Sequence, residues 1–168
     1  RTKNEGGNKE IEESAYKDML IAISESGDID MVDIEVYFMD EKNTKDIVKS
    51  LKKNVVVVGS YHDFDKTPSY DEIIKRLCFM KSQGVSIPKL ACMPQNRHDV
   101  VTLMEATQDF VSKNVGLPVI TMSMGDYGKV SRVAGKSFGS AMTFGCLGKA
   151  SAPGQINVDD LRAILNIL

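Results

Sequence analysis

Apolar residues along the chain follow two spacings in turn. Five runs of strand length, at residues 31–38, 55–61, 87–93, 118–124 and, more weakly, 141–146, are each bounded by turn residues. Stretches such as Val55-Val56-Val57-Val58 and Val119-Ile120 are too short and too β-branched for helices, and they are apolar on both faces, as strands of a parallel sheet are. Between these runs, residues 11–26, 44–53, 70–83, 99–112, 129–138 and 157–168 space apolar positions three and four apart, which predicts helices. Capping chemistry agrees: Asn43 or Thr44 can cap the second helix, Ser69 the third and Asn157 the last, while Gly27, Gly84 and Gly116 follow helices.

Strict alternation of helix and strand predicts an α/β fold with a parallel sheet and right-handed crossovers, either open and doubly wound or closed as a (β/α)8 barrel. A barrel spends about 31 residues per unit, so the chain holds about 5.4 units, and length alone favours an open five-stranded sheet. Neither G-x-G-x-x-G nor G-x-x-x-x-G-K-[ST] occurs, so the two commonest uses of an open sheet have no counterpart here.

Composition narrows the class. The 168 residues fit a single domain, 1–168, with 42% hydrophobic and 26% charged residues. With 21 Lys plus Arg against 23 Asp plus Glu, the net charge of -2 gives no field to gather a polyanion, so neither nucleic acid nor an anionic membrane is an expected partner. No apolar run approaches a membrane span, and a cytoplasmic protein is expected. Three cysteines at wide spacing and two histidines fit neither a disulfide framework nor a zinc centre, so no metal is expected. The chain opens on Arg1 and not on methionine, which reads as a start that has been cut.

Candidate chemistry gathers where strands end, the place where parallel α/β folds build sites. Lys89, in Ile87-Pro88-Lys89-Leu90-Ala91, either snorkels to solvent at a strand edge or points inward, where desolvation would leave its amine neutral and nucleophilic. His62, in Ser60-Tyr61-His62-Asp63-Phe64, is a surface histidine in a turn or a strand-end acid and base. Glu35 sits late in the first strand. Arg132 begins a helix with few charged neighbours and suits carboxylate recognition, though helix arginines are mostly surface residues. Ser151 and Gln155, in the loop Ala150-Ser151-Ala152-Pro153-Gly154-Gln155, can present a hydroxyl and an amide to a ligand or serve only the turn. His98 reads as a solvated residue at a helix start.

Together these segments resemble type I 3-dehydroquinate dehydratase, in one order along the whole chain: Ser60-Tyr61-His62-Asp63-Phe64, Ile87-Pro88-Lys89-Leu90-Ala91-Cys92-Met93-Pro94, Pro118-Val119-Ile120-Thr121-Met122-Ser123-Met124-Gly125, Ser131-Arg132-Val133-Ala134-Gly135, Phe138-Gly139-Ser140-Ala141-Met142-Thr143-Phe144-Gly145 and Ala150-Ser151-Ala152-Pro153-Gly154-Gln155-Ile156. Arg1-Thr2-Lys3-Asn4-Glu5-Gly6-Gly7 matches a further segment. The resemblance implies a (β/α)8 TIM barrel of which this chain supplies roughly strands 4–8, from the end of the third strand onward, the C-terminal two thirds. It implies a lyase of the shikimate pathway that dehydrates 3-dehydroquinate without a cofactor, and a homodimer. Carried over by position, Lys89 is the Schiff-base lysine, His62 the general base and acid, and Glu5 the carboxylate that orients the histidine. Arg132 takes the substrate carboxylate, Ser151 and Gln155 close over the ligand, Arg1 contacts substrate, and Glu35 has a supporting place at the substrate. The alternatives are an inactive fragment or association-only domain and, from the lysine alone, another Schiff-base barrel such as an aldolase. Strand edges at 31–38 and 141–146 without neighbours would leave such a piece unstable by itself.

Overall fold

A computed structural model describes residues 1–168. Four strands, β1 (Met31–Glu35), β2 (Val56–Asp63), β3 (Ile87–Cys92) and β4 (Ile120–Ser123), form one sheet in chain order with every pair parallel. Helices α1 (Glu13–Glu25), α2 (Glu41–Leu51), α3 (Tyr70–Ser82) and α4 (Arg97–Lys113) alternate with the strands, followed by the short α5 (Lys129–Val133) and by α6 (Val158–Leu165).

A doubly wound sheet reverses its direction of travel and covers both faces with helices. Here the order never reverses, and the helices lie on one face only. Val32, Ile34, Val57, Leu90 and Cys92 of the outer face pack with Leu20, Leu51, Leu77, Met80, Leu103 and Phe110 from α1 to α4 in one buried cluster. The inner face forms a separate cluster of Val58, Ile87, Ala91, Ile120, Met122 and Met124, which no helix residue enters. One-sided cover over sequentially ordered strands is the (β/α)8 barrel arrangement, so the open sheet favoured by length alone is set aside.

Three expected elements differ. The run at 141–146 is not a continuous strand. Just ahead of β4 and of this run, Val119 bridges to Ser140, and Cys146 bridges to Asn157. The Ser140 hydroxyl bonds both the N–H (3.0 Å) and the carbonyl (3.2 Å) of Thr121, so a side chain does what a strand's backbone would. The first strand stops at Glu35 because the chain turns there, Phe38 N–H bonding back to the Glu35 carbonyl. The helix expected over 129–138 splits into α5 and the 3-10 turn Gly135–Phe138, which ends at Gly139 with φ 94°.

Capping by Ser69 and Asn157 is as expected, whereas α2 is capped by Asp40, whose carboxylate accepts from Asn43 N–H at 2.8 Å. Thr44 instead lies buried, its hydroxyl bonding back to the Asp40 carbonyl.

Register positions the site. Side chains of directly paired residues share a face. Glu35 pairs with Ser60 and Ser60 with Lys89, which makes one inward row. One step toward the carboxyl ends lie His62, Ala91 and Met122, and one step the other way lie Asp33, Val58 and Ile87.

Candidate active site

All six residues of β3 are buried, and the Lys89 side chain is 6% exposed, so it points inward and does not snorkel. Its amine rests directly on the carboxylate of Asp33 and lies 5.2 Å from the centroid of the Phe144 ring. Asp33 was passed over in the sequence, although it stands two residues before Glu35 on the same strand and therefore shares its face.

His62, at the end of β2, is buried, with Nδ1 2.7 Å from Glu5 Oε2 and Nε2 without a partner in the protein. Glu5 comes from the 3-10 turn Lys3–Glu5, which Gly6 ends in the left-handed region at φ 85°. Burial pulls the imidazole down to about 2, with the charges of Arg1 and Lys89 acting the same way. Burial also pushes Glu5 up to about 8, aided by the charges of Glu35 and Asp33 and opposed by Arg1 and by the backbone N–H of His62. Both shifts favour the uncharged form of the pair, in which the Glu5 hydroxyl donates to Nδ1 and the ring proton sits on Nε2. Ionising Glu5 draws that proton to Nδ1 and bares the Nε2 lone pair.

Glu35 is buried beneath this pair. One of its oxygens accepts from Thr2 N–H at 2.7 Å and the other from the Thr2 hydroxyl, while its own N–H donates to the Tyr16 hydroxyl. Its carboxylate is thus spent on anchoring the segment that carries Arg1 and Glu5.

Arg132 of α5 is 2% exposed, yet it meets no carboxylate. Nη2 donates to the Pro153 carbonyl at 3.0 Å, Nη1 faces the Met122 sulfur at 3.8 Å, and Nε has no partner. Burial lowers its pKa. In the loop above, Gln155 Oε1 accepts from Ser151 N–H (2.7 Å), the Ser151 hydroxyl (3.1 Å) and Ala152 N–H (3.2 Å).

These groups line two cavities, and Gly6 and Phe64 line both. Lys89, Arg132, Arg1, Ser151 and Gln155 line one of about 360 Å³, and His62, Glu5 and Glu35 line the other, of about 410 Å³. A roomier opening of about 880 Å³ lies by Asp30 and Val56, where β1 and β2 begin. It holds no nucleophile paired with an acid or base, and parallel α/β proteins work at the other end of their strands.

A buried amine, a buried imidazole and carboxyl pair and a buried cation without an anion, all on one side of sequentially wound parallel strands, define a barrel-type α/β protein whose candidate site gathers a nucleophile type, an acid–base pair and an unpaired cation. The chain belongs to the type I 3-dehydroquinase family, whose model matches residues 1–168. It is 45% identical over 168 residues to the 3-dehydroquinate dehydratase of Salmonella typhimurium, covering 100% of this chain and 67% of that one. Against the 3-dehydroquinate dehydratase of Syntrophotalea carbinolica it is 46% identical over 169 residues, covering 100% and 66%. Among solved structures, the type I 3-dehydroquinate dehydratase of Clostridium difficile with covalently modified comenic acid superposes with a TM-score of 0.93 at 43% identity, over 99% of this chain and 66% of that one. The 3-dehydroquinate dehydratase of Geobacillus kaustophilus gives 0.94 at 36% identity, over 100% and 65%. The chain thus spans about two thirds of the length of the relatives it matches.

Proposed function

We propose that this chain carries the catalytic groups of a 3-dehydroquinate dehydratase, a hydro-lyase that forms 3-dehydroshikimate in the shikimate pathway. The observation that carries the reading is Arg132: a buried guanidinium without an anion of its own shares a cavity with the buried Lys89 amine. Burying a cation in this way is unfavourable unless a ligand supplies the partner, so the substrate is a carbonyl compound with a carboxylate. An aldolase acting on an uncharged sugar would have no use for it.

In this mechanism Lys89 Nζ adds to the C3 ketone and water leaves, giving an iminium. Its positive charge acidifies C2, and His62 Nε2, with Glu5 ionised, removes a C2 proton to give the enamine. The enamine electrons then form the C1–C2 double bond as the C1 hydroxyl leaves with the proton returned by His62. Hydrolysis of the conjugated iminium frees the product and Lys89. Arg132 pairs with the carboxylate, Ser151 and Gln155 close over it, Arg1 contacts the substrate, and Glu35 acts through Thr2. The family resemblance supports extending the reading to a cytoplasmic homodimer and to residues 1–168 as one domain that is part of a larger barrel.

Lys89→Ala and His62→Ala separate the two roles. With 3-dehydroquinate and borohydride, His62→Ala should still accumulate a reduced adduct while turnover collapses, whereas Lys89→Ala should give neither. Normal turnover in His62→Ala would exclude it as the base.

A further inference from the structure

We infer that Ser131 is a positioning residue of this site: its hydroxyl pins α5 to the end of β4 and thereby fixes where the Arg132 guanidinium stands for an incoming carboxylate. The inference deepens the function proposed above and rests on Arg132 as its anion-binding group.

On the flank of β4 that faces away from β3, two backbone N–H groups go to serine hydroxyls and not to a strand. Thr121 donates to Ser140 at 3.0 Å and Ser123 to Ser131 at 2.9 Å. Ser131, 5% exposed, passes the bond on, its hydroxyl donating to the Gly128 carbonyl at 2.7 Å. Gly128 caps the start of α5 and approaches so closely that a Cβ there would lie 2.2 Å from the Ser123 carbonyl oxygen. Strand end and helix start are therefore joined by one hydroxyl across a seam with no spare room. This part of the sheet has β3 on one side and Ser140 and Ala141 on the other, so the seam lies away from the open edge of β1.

Arg132 depends on that seam because little else holds it. α5 has five residues and no side-chain cap, and a helix this short has little stability of its own. Apart from the 3.8 Å approach of Arg132 to the Met122 sulfur, Ser131 makes the side-chain hydrogen bonds that tie α5 to β4. Beyond that sulfur the guanidinium meets only the Pro153 carbonyl, and Nε is unpartnered. Nothing at its far end sets its depth, so the backbone one residue earlier does. With the seam closed, Arg132 lines the cavity that Lys89 also lines. With the seam open, the buried charge is free to retreat toward water.

The test reads Arg132 through an anion that cannot react. Quinate has the ring, hydroxyls and carboxylate but no ketone for Lys89, so calorimetric titration gives its Kd without turnover. Ser131→Ala should weaken binding about 3- to 10-fold, the worth of one hydrogen bond. The same change made in Arg132→Met protein should weaken it no further, because a residue that acts through Arg132 then has nothing to act on. Gly128→Ala keeps the hydroxyl and pries the seam apart; it should give the same pair of results, and it decides the matter if melting curves show that Ser131→Ala does not fold. Phenylglyoxal labelling followed by peptide mass spectrometry reads the guanidinium without any ligand, and Arg132 should label several-fold faster in both variants. An unchanged Kd in the folded variants, an equal loss with and without Arg132, or labelling at the wild-type rate would each overturn the inference. If 3-dehydroquinate is never turned over while quinate affinity and labelling follow the expected pattern, the inference stands and the dehydratase reading falls. Normal turnover with Kd and labelling indifferent to both variants does the reverse.

Discussion

Replacing Arg132 by methionine should separate binding from stability, because the two draw on different parts of the same side chain. The guanidinium is 2% exposed with no carboxylate in contact, its Nε is orphaned, and its single oxygen partner is the carbonyl of Pro153 in an exposed loop position. Methionine fills much of the volume with a flexible apolar chain beside Met122. Removing the unpartnered buried donor relieves about 1 to 3 kcal/mol of desolvation, while the freed Pro153 carbonyl can turn to water. The melting temperature should therefore hold or rise by a few degrees, at about 2 to 4 °C per kcal/mol for a domain of this size. Affinity should move the other way. A charge-assisted bond to the substrate carboxylate is worth about 1.5 to 3 kcal/mol, which is about a 10- to 150-fold weaker Kd. Calorimetric titration with 3-dehydroquinate, paired with thermal melts of free protein, reads both quantities. Unchanged Kd would remove Arg132 from the binding site, and a loss of several degrees together with a loss of affinity would show a structural residue.

Three further outcomes follow from the packing. Below about 8 Glu5 is protonated and leaves the ring proton on Nε2 of His62, so C2 proton removal should increase as pH rises through that value. Glu5→Gln cannot ionise and should lose this limb; a wild-type profile flat through that region would contradict the assignment. Glu35→Ala strands the N–H and hydroxyl of buried Thr2 and should lower stability by about 2 to 5 kcal/mol in urea melts, and a melt unchanged from wild type would show that Glu35 anchors nothing. In Gly154→Ala the added Cβ would lie 2.3 Å from the Gly125 carbonyl oxygen, at a φ of 75° that already favours glycine, so the loop should lift off Arg132. KM should rise more than kcat falls, and equal protease resistance of that loop in both proteins would argue against it.

How much of this the sequence disclosed depends on the range of the forces involved. The alternation of helix and strand was legible because burial on both faces of a strand and one face of a helix leaves periods of apolar residues. Ser69 and Asn157 cap as read because each stands alone at its helix start, whereas Asp40, Asn43 and Thr44 compete within five positions and the winner depends on where the chain leaves β1. The weak run at 141–146 carries strand composition, but its pairing is taken over by the Ser140 side chain, which composition does not display. Lys89 and His62 were visible as polar residues inside apolar strands. The anchoring role of Glu35 was not legible because its partner, Thr2, lies 33 residues away. Asp33 went unnoticed for a similar reason: its meaning comes from a lysine 56 residues later, brought over it by sheet register.

The central claim is that the buried amine of Lys89 forms the covalent bond to substrate. Incubating the protein with 3-dehydroquinate, reducing with borohydride and mapping the product by peptide mass spectrometry tests it directly. The account predicts one reduced adduct, on the peptide containing Ile87-Pro88-Lys89-Leu90, absent without substrate and absent in Lys89→Ala. An adduct on any other lysine, or substrate turned over with none formed at Lys89, would contradict it.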